Sequence, residues 1–169
     1  MRIALDTPRG FSFRRTVLSH GWCTLPPFVL CSGGDALTTA VLLPGGGAST
    51  LTLEGTGERA AVAFPGRPAA ATREHLMATA RRILNLDLDL APFHAACAAI
   101  TELRWAAEQG AGRLLRAATP FEDLVKLVLT TNCSWALTTK MAACLVEHWG
   151  EKAPGGARAF PTAAALAGA

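Results

Sequence analysis

Between Gly10 and Pro65 the apolar positions fall in short, strand-like runs. Phe11, Phe13 and Val17 stand among polar neighbours until Leu18 breaks the alternation. Ala36 to Leu43 is a run of β-branched residues and leucines, closed by Pro44 and the glycines Gly45, Gly46 and Gly47. Ser49 to Glu54 keeps a period of two, and Arg59 to Phe64 is a further short apolar run ended by Pro65 and Gly66. Three short runs punctuated by Gly and Pro predict an antiparallel meander. One polar face on such a sheet requires a second layer packed on the other.

From Thr72 onward the period changes. Leu76, Ala80, Ile83 and Leu84 stand at i, i+4, i+7 and i+8, one face of an α-helix with Thr72 at its N-cap. The alternation in Asn85 to Leu90 is too short and too acidic for a strand, and Asp89 is placed to cap a short helix through Cys97. Leu103 to Glu108 reads as another helix. Thr119, Pro120 and Glu122 form a capping box, Thr at the cap, Pro at the first helical position and Glu at the third. The helix they start carries Phe121, Leu124, Val125 and Val128, expected to face inward, and stops near Thr130. After a polar break, Ser134 caps a second helix bearing Leu137, Met141, Cys144, Leu145 and His148, with Gly150 as its C′ residue. Together they predict an αα-hairpin with a polar tip. Thr162 would cap one more helix near Ala169. A helix of about two turns is marginal alone, so the chain is expected to be a fragment of something longer, the alternative being a disordered Ala-rich tail. The fold expected is α+β: an antiparallel sheet domain at residues 1–70, then an incomplete helical domain at 71–169.

Composition narrows the class. Of 169 residues 50% are hydrophobic and 17% charged, which excludes a disordered chain or a coiled coil. A net charge of +3 neither declares nor excludes a nucleic-acid binder. The basic residues are 13 Arg and 3 Lys, which reads first as coding bias, although Arg also makes the bidentate phosphate contacts that Lys cannot. No run of roughly 20 apolar residues is present for a membrane span, and Arg2, Arg9, Arg14 and Arg15 interrupt the N-terminal region where a signal peptide would lie. Five cysteines without regular spacing read as reduced thiols. A cytoplasmic protein is the expectation.

Four groups carry possible chemistry, each with an ordinary structural alternative. His94 with Cys97, and Cys144 with His148, have helical spacings that suit Zn²⁺, but a structural site needs four matched ligands and both pairs also suit core positions. Gly45 to Thr50 follows a strand but lacks the Lys-Ser/Thr of a phosphate-binding loop, so it reads as a hairpin turn. Cys133 sits where a helix dipole favours a thiolate, or simply packs at a cap. Finally, Thr130 to Trp135 sets small hydrogen-bonding side chains beside a large aromatic ring. The Asn132 amide both donates and accepts, and Trp135 offers a stacking face, a pair suited to a nucleobase; the alternative is a solvated turn.

The run Gly112-Arg113-Leu114-Leu115-Arg116-Ala117-Ala118-Thr119-Pro120-Phe121-Glu122-Asp123-Leu124-Val125-Lys126, continued by Thr130 to Trp135, Leu145 to Gly150 and Phe160-Pro161-Thr162, resembles the helix-hairpin-helix DNA glycosylase superfamily. It is most similar to members of the 3-methyladenine type, with kinship to 8-oxoguanine glycosylases. Leu84 to Phe93 is similar to the family's lead-in to its helical domain, and Phe11 to Val17 with Gly21-Trp22 to its N-terminal sheet.

The resemblance implies base-excision repair: bending a duplex, flipping a damaged base and hydrolysing its glycosidic bond. It implies that Asn132 enters the base stack and touches the orphaned partner base, with Thr131, Ser134 and Trp135 as DNA-contacting neighbours, packing being the first reading of Trp135. The family's Leu-Pro/Lys-Gly-Val-Gly hairpin, its catalytic Asp and the Lys of its bifunctional members have no counterpart here. Asp87, Asp89, Glu122 and Asp123 read as caps, so no catalytic residue is assigned. No cofactor and no metal are expected. The expected partner is double-stranded DNA with a damaged base, held weakly by this fragment and by a monomer in full-length form. The lead reading is the N-terminal part of a DNA glycosylase, inactive alone; the alternative is a non-catalytic DNA-binding or protein-interaction module.

Overall fold

The computed structural model describes residues 1–31 and 33–168. It is α+β. Five strands, β1 (Arg2–Leu5), β2 (Val29–Leu30), β3 (Ala36–Leu42), β4 (Ala48–Thr56) and β5 (Arg59–Ala63), form one antiparallel sheet in the order β1-β5-β4-β3-β2. The expected meander is its centre: Thr39 faces Leu51 across β3 and β4, and Leu53 faces Val62 across β4 and β5. Gly45, Gly46 and Gly47 all have positive φ and close the β3–β4 hairpin, Gly46 N–H donating to the Leu43 carbonyl at 3.1 Å. β1 and β2 are edge strands of four and two residues, too short to show a period in the sequence.

The helices are α1 (Phe13–Val17), α2 (Ala70–Ile83), α3 (Ala91–Ala98), α4 (Arg104–Glu108), α5 (Pro120–Thr130), α6 (Trp135–Trp149) and α7 (Ala163–Ala167). The strand expected around Phe11 to Val17 is helix α1. Phe13, Thr16 and Val17 are all buried, and their i, i+3, i+4 spacing suits one helical turn better than a pleat. The Phe13 ring lies against Gly55 of β4, where a Cβ would overlap the ring. α2 begins at Ala70 with Ala69 as cap, not at Thr72; Pro68 ends the preceding loop and the alanines that follow propagate a helix well. Gly150 follows α6, but with φ −74° it is not a left-handed C′ residue. Its lack of a side chain is used otherwise, because a Cβ there would run into the Ala159 and Val146 carbonyls.

One core lies between the sheet and the helices. Leu37, Val41, Leu51, Leu53 and Val62 from the strands pack with Phe13 and Val17 of α1, Leu76, Ala80 and Ile83 of α2, and Leu115 and Ala117. It therefore continues well past residue 70. A smaller cluster of Ala40, Ala48, Ala153 and Ala159 ties the segment after α6 back to β3 and β4. No helix among the described residues is long and apolar enough to cross a membrane.

Candidate nucleic-acid interface

The hairpin of α5 and α6 is built as its end residues dictate. Thr119 Oγ1 accepts from the Glu122 N–H at 3.1 Å, and Ser134 Oγ accepts from the Leu137 N–H at 3.3 Å. The capping box is half made, because the Glu122 carboxylate turns inward instead of returning to Thr119. Thr138 is buried and donates to the Leu129 carbonyl at 2.8 Å, closing the two helices on each other. Along α6, Thr138, Ala142 and Val146 at i, i+4 and i+8 form the buried face.

The inward face expected of α5 is reversed. Leu124 and Val128 are each 59% exposed, while Glu122 and Lys126 are sealed. The Lys126 ammonium lies 2.6 Å from the Glu122 carboxylate, with 0% and 2% side-chain exposure. It also lies 4.6 Å from the Phe28 ring centroid and 5.8 and 5.9 Å from those of Phe160 and Trp22. Three aromatic faces and one carboxylate thus surround the cation, replacing its water. Burial pushes the Glu122 carboxyl above its ordinary range, against the pull of Lys126. On α6, Leu137, Met141, Cys144 and Leu145 line an open apolar groove of about 390 Å³ with Leu129. α6 docks through small side chains, so its larger apolar ones are left toward the outside.

The carboxylates read as caps are all engaged. Asp89 Oδ1 accepts from Ala91 N–H at 2.9 Å, and Asp87 pairs with Arg81. Asp123 accepts from Ala117 N–H at 2.7 Å and pairs with Arg82 at 2.5 Å.

At the tip the polar residues divide. Thr130 and Thr131 donate their hydroxyls to the Leu127 and Val128 carbonyls, each at 2.7 Å, finishing α5. Ser134, not Cys133, caps α6. Asn132 is exposed, has φ +54°, and its side-chain amide makes no hydrogen bond among the described residues. An Asx-turn, which would consume that amide, is not formed. Trp135 is exposed at the base of the tip. Its Nε1–H donates to Thr24 Oγ1 at 3.3 Å, and its ring lies on Gly21, where a Cβ would stand 3.2 Å from the ring edge. Gly21 also has φ +87°, so this close approach favours glycine twice over. The structure thus brings Trp135 onto the turn after α1, a contact across more than a hundred residues that no local pattern announces.

The other sequence candidates lie apart from the tip. His94 Nε2 is 2.8 Å from the Ala111 carbonyl, and Cys97 is buried. Cys144 and His148 sit on the exposed side of α6. No group of three His, Cys, Asp or Glu placed to hold a metal occurs among the described residues.

No protein-family model and no curated protein sequence matches the chain. Its fold is similar to that of a solved DNA glycosylase. The chain is similar to 3-methyladenine DNA-glycosylase from Archaeoglobus fulgidus, with TM-score 0.67 and 20% identity over 98% of its own length. It spans 57% of that chain.

Proposed function

We propose that residues 1–169 are the N-terminal part of a base-excision repair DNA glycosylase and present the hairpin tip to damaged double-stranded DNA. The observation that carries this reading is Asn132: on a glycosylase-like fold, it stands exposed at the tip with its amide unspent. An amide can fill the gap of a flipped nucleotide and meet both donors and acceptors on the orphaned base. Thr131, Ser134 and Trp135 shape the tip around it. Of the three, Trp135 is the most structural, being held by Gly21 and Thr24.

Chemistry is assigned to no residue. Glu122, Asp123, Asp87 and Asp89 are each held by an internal partner. The proposed role of 1–169 is to position DNA, with excision requiring a carboxylate from outside this segment. The test is binding and excision on duplexes with an alkylated base, an oxidised base or no lesion, with 1–169 and a longer form of the protein side by side. Preference for lesion duplex that depends on Asn132 supports the reading; equal affinity for all three duplexes sinks it. A second reading, a protein-interaction module, is favoured by the apolar groove along α6 and the exposed Leu124, Leu127 and Val128.

A further inference from the structure

We propose that the cleft between α1, Trp105 of α4 and the segment after α4 is a second nucleic-acid site, which takes single-stranded DNA by stacking a base on Trp105 and receiving its phosphates on Arg15 and Arg14. Its place beside the tip bears on repair only if the tip itself binds damaged duplex; its affinity for a DNA strand does not depend on that role.

The cleft has a volume of about 600 Å³, within the usual range for small-molecule sites and large enough for a nucleotide. Its wall on one side is Arg14 and Arg15 of α1 with Leu18 just after it, and on the other Trp105 and the Gly112–Leu114 stretch. Trp105 is 47% exposed although it belongs to a short helix whose neighbour Ala106 is buried. An indole held open in this way offers a face on which any base stacks. The Arg15 guanidinium stands 5.9 Å from the centre of that ring.

The charges are uncompensated. Arg15 donates to the Gln109 side-chain oxygen and Arg14 to the Gly33 carbonyl, both neutral acceptors. Neither arginine joins an ion pair among the described residues, and no carboxylate among them lines the cleft. Arg113 is different: it is buried and donates to the Asn85 and Leu88 carbonyls, so it forms the floor and is not a ligand contact. Two exposed guanidiniums beside an exposed indole is the chemistry of a phosphate and a base taken together.

Position joins the cleft to the tip. Ser19 lines the cleft, and Gly21, two residues on, carries the Trp135 ring. Two residues span at most about 7 Å of backbone. A strand leaving the tip therefore reaches the cleft within a few nucleotides.

The experiment is anisotropy with fluorescent dodecathymidylate, free of lesions and of secondary structure, on purified 1–169 at low and moderate salt. Trp105→Ala should weaken binding about 5- to 100-fold, while Trp105→Phe stays within about threefold of wild type because a phenyl ring also stacks. Intrinsic tryptophan quenching by the oligonucleotide should be smaller in Trp105→Phe than in wild type, a signature that a merely structural tryptophan would not show. Arg15→Gln and the Arg14→Gln, Arg15→Gln double variant should weaken binding progressively and flatten its salt dependence. Arg59→Gln, which removes the same charge from β5, should leave binding unchanged. Melting curves of each variant confirm that the fold is kept. The proposal is overturned by absence of binding to dodecathymidylate, by cleft variants that bind like wild type, or by an equal loss in Arg59→Gln. Tighter binding to oligouridylate than to oligothymidylate would overturn the assignment to DNA. Loss of lesion preference in Asn132→Ala is read on duplex DNA alone, so the two readings fail separately.

Discussion

Lys126 and Glu122, one turn apart on α5, form an ion pair of 2.6 Å from which water is excluded on all sides. The pair points into the protein where an amphipathic helix would place leucine, and the helix's leucines point out. Burying the pair carries a large desolvation cost, offset by the short contact and the rings of Phe28, Phe160 and Trp22. α5 is thereby held in one rotation, and Asn132 at its far end is aimed with it.

Removing one member of the pair strands the other. Lys126→Met should lower the unfolding free energy by about 3–5 kcal/mol, since it leaves Glu122 buried without a partner. Adding Glu122→Leu should recover most of that loss, because two apolar groups of similar volume suit the same cavity. Urea denaturation of both variants decides the point. Equal stability of the single and double variants would mean that the pair contributes packing alone.

Parts of this fold are legible in the sequence and parts are not, and range of interaction separates them. The starts of α5, α6 and α7 are local: Thr119, Ser134 and Thr162 each accept from a backbone N–H three residues on, as their spacing predicts. The central strands follow from period two. α1 escapes notice because Phe11 and Phe13 alternate while Phe13 and Val17 are also one helical turn apart, and a five-residue window holds too few positions to choose. The face of α5 is misread because charge normally means solvent, and only the aromatic residues brought from positions 22, 28 and 160 make a buried ammonium tolerable. Asn132 stands out through its polar neighbours. The meeting of Arg15 with Trp105, ninety positions apart, leaves no sequence signal.

His20 gives the molecule an acid sensitivity. Its ring stacks on Trp22 at 4.9 Å, and burial lowers its pKa below 6.5 despite the attraction of Asp123. The fold disfavours the imidazolium, so stability from neutral His20 is complete above 6.5 and is lost as pH falls through the lowered value. His20→Gln should therefore make Tm less dependent on pH between about 7 and 5. Parallel Tm–pH curves for the two proteins would dismiss the effect.

The outer side of the hairpin should behave as exposed apolar surface. Leu124→Lys and Val128→Lys should each change stability by no more than about 0.5 kcal/mol, as substitutions at solvent-facing positions do. Both should reduce the binding of an apolar fluorescent dye and any self-association of 1–169. A loss of several kcal/mol in either variant would show that the face is covered in solution.

Excision is not expected from 1–169. Developing positive charge on the sugar needs a nearby carboxylate free to face it. Glu122, Asp123, Asp87 and Asp89 are instead engaged by Lys126, Arg82, Arg81 and the Ala91 N–H. Incubation with duplexes bearing alkylated or oxidised bases, followed by cleavage at abasic sites, should yield no product above background. Turnover by this segment that survives Glu122→Gln and Asp123→Asn would place the chemistry on some other side chain of 1–169.

The tip offers the sharpest test of the proposed role. Asn132 sits at φ +54°, a conformation Asn tolerates better than most residues, and this alone would explain its presence in a tight turn. A turn residue of that kind commonly spends its amide on nearby backbone, yet here Thr130, Thr131 and Ser134 serve the helix ends and the amide is left over. Asn132→Gly separates the two functions, since glycine keeps the backbone conformation and removes only the amide. In a DNA-binding form of the protein, Asn132→Gly should keep the wild-type Tm and weaken binding to lesion-containing duplex by about 1–3 kcal/mol, the size of a lost base-edge contact. Binding to undamaged duplex should change far less, because phosphate contacts dominate it. Equal losses on both duplexes, or no loss on either, would return Asn132 to the role of a turn residue.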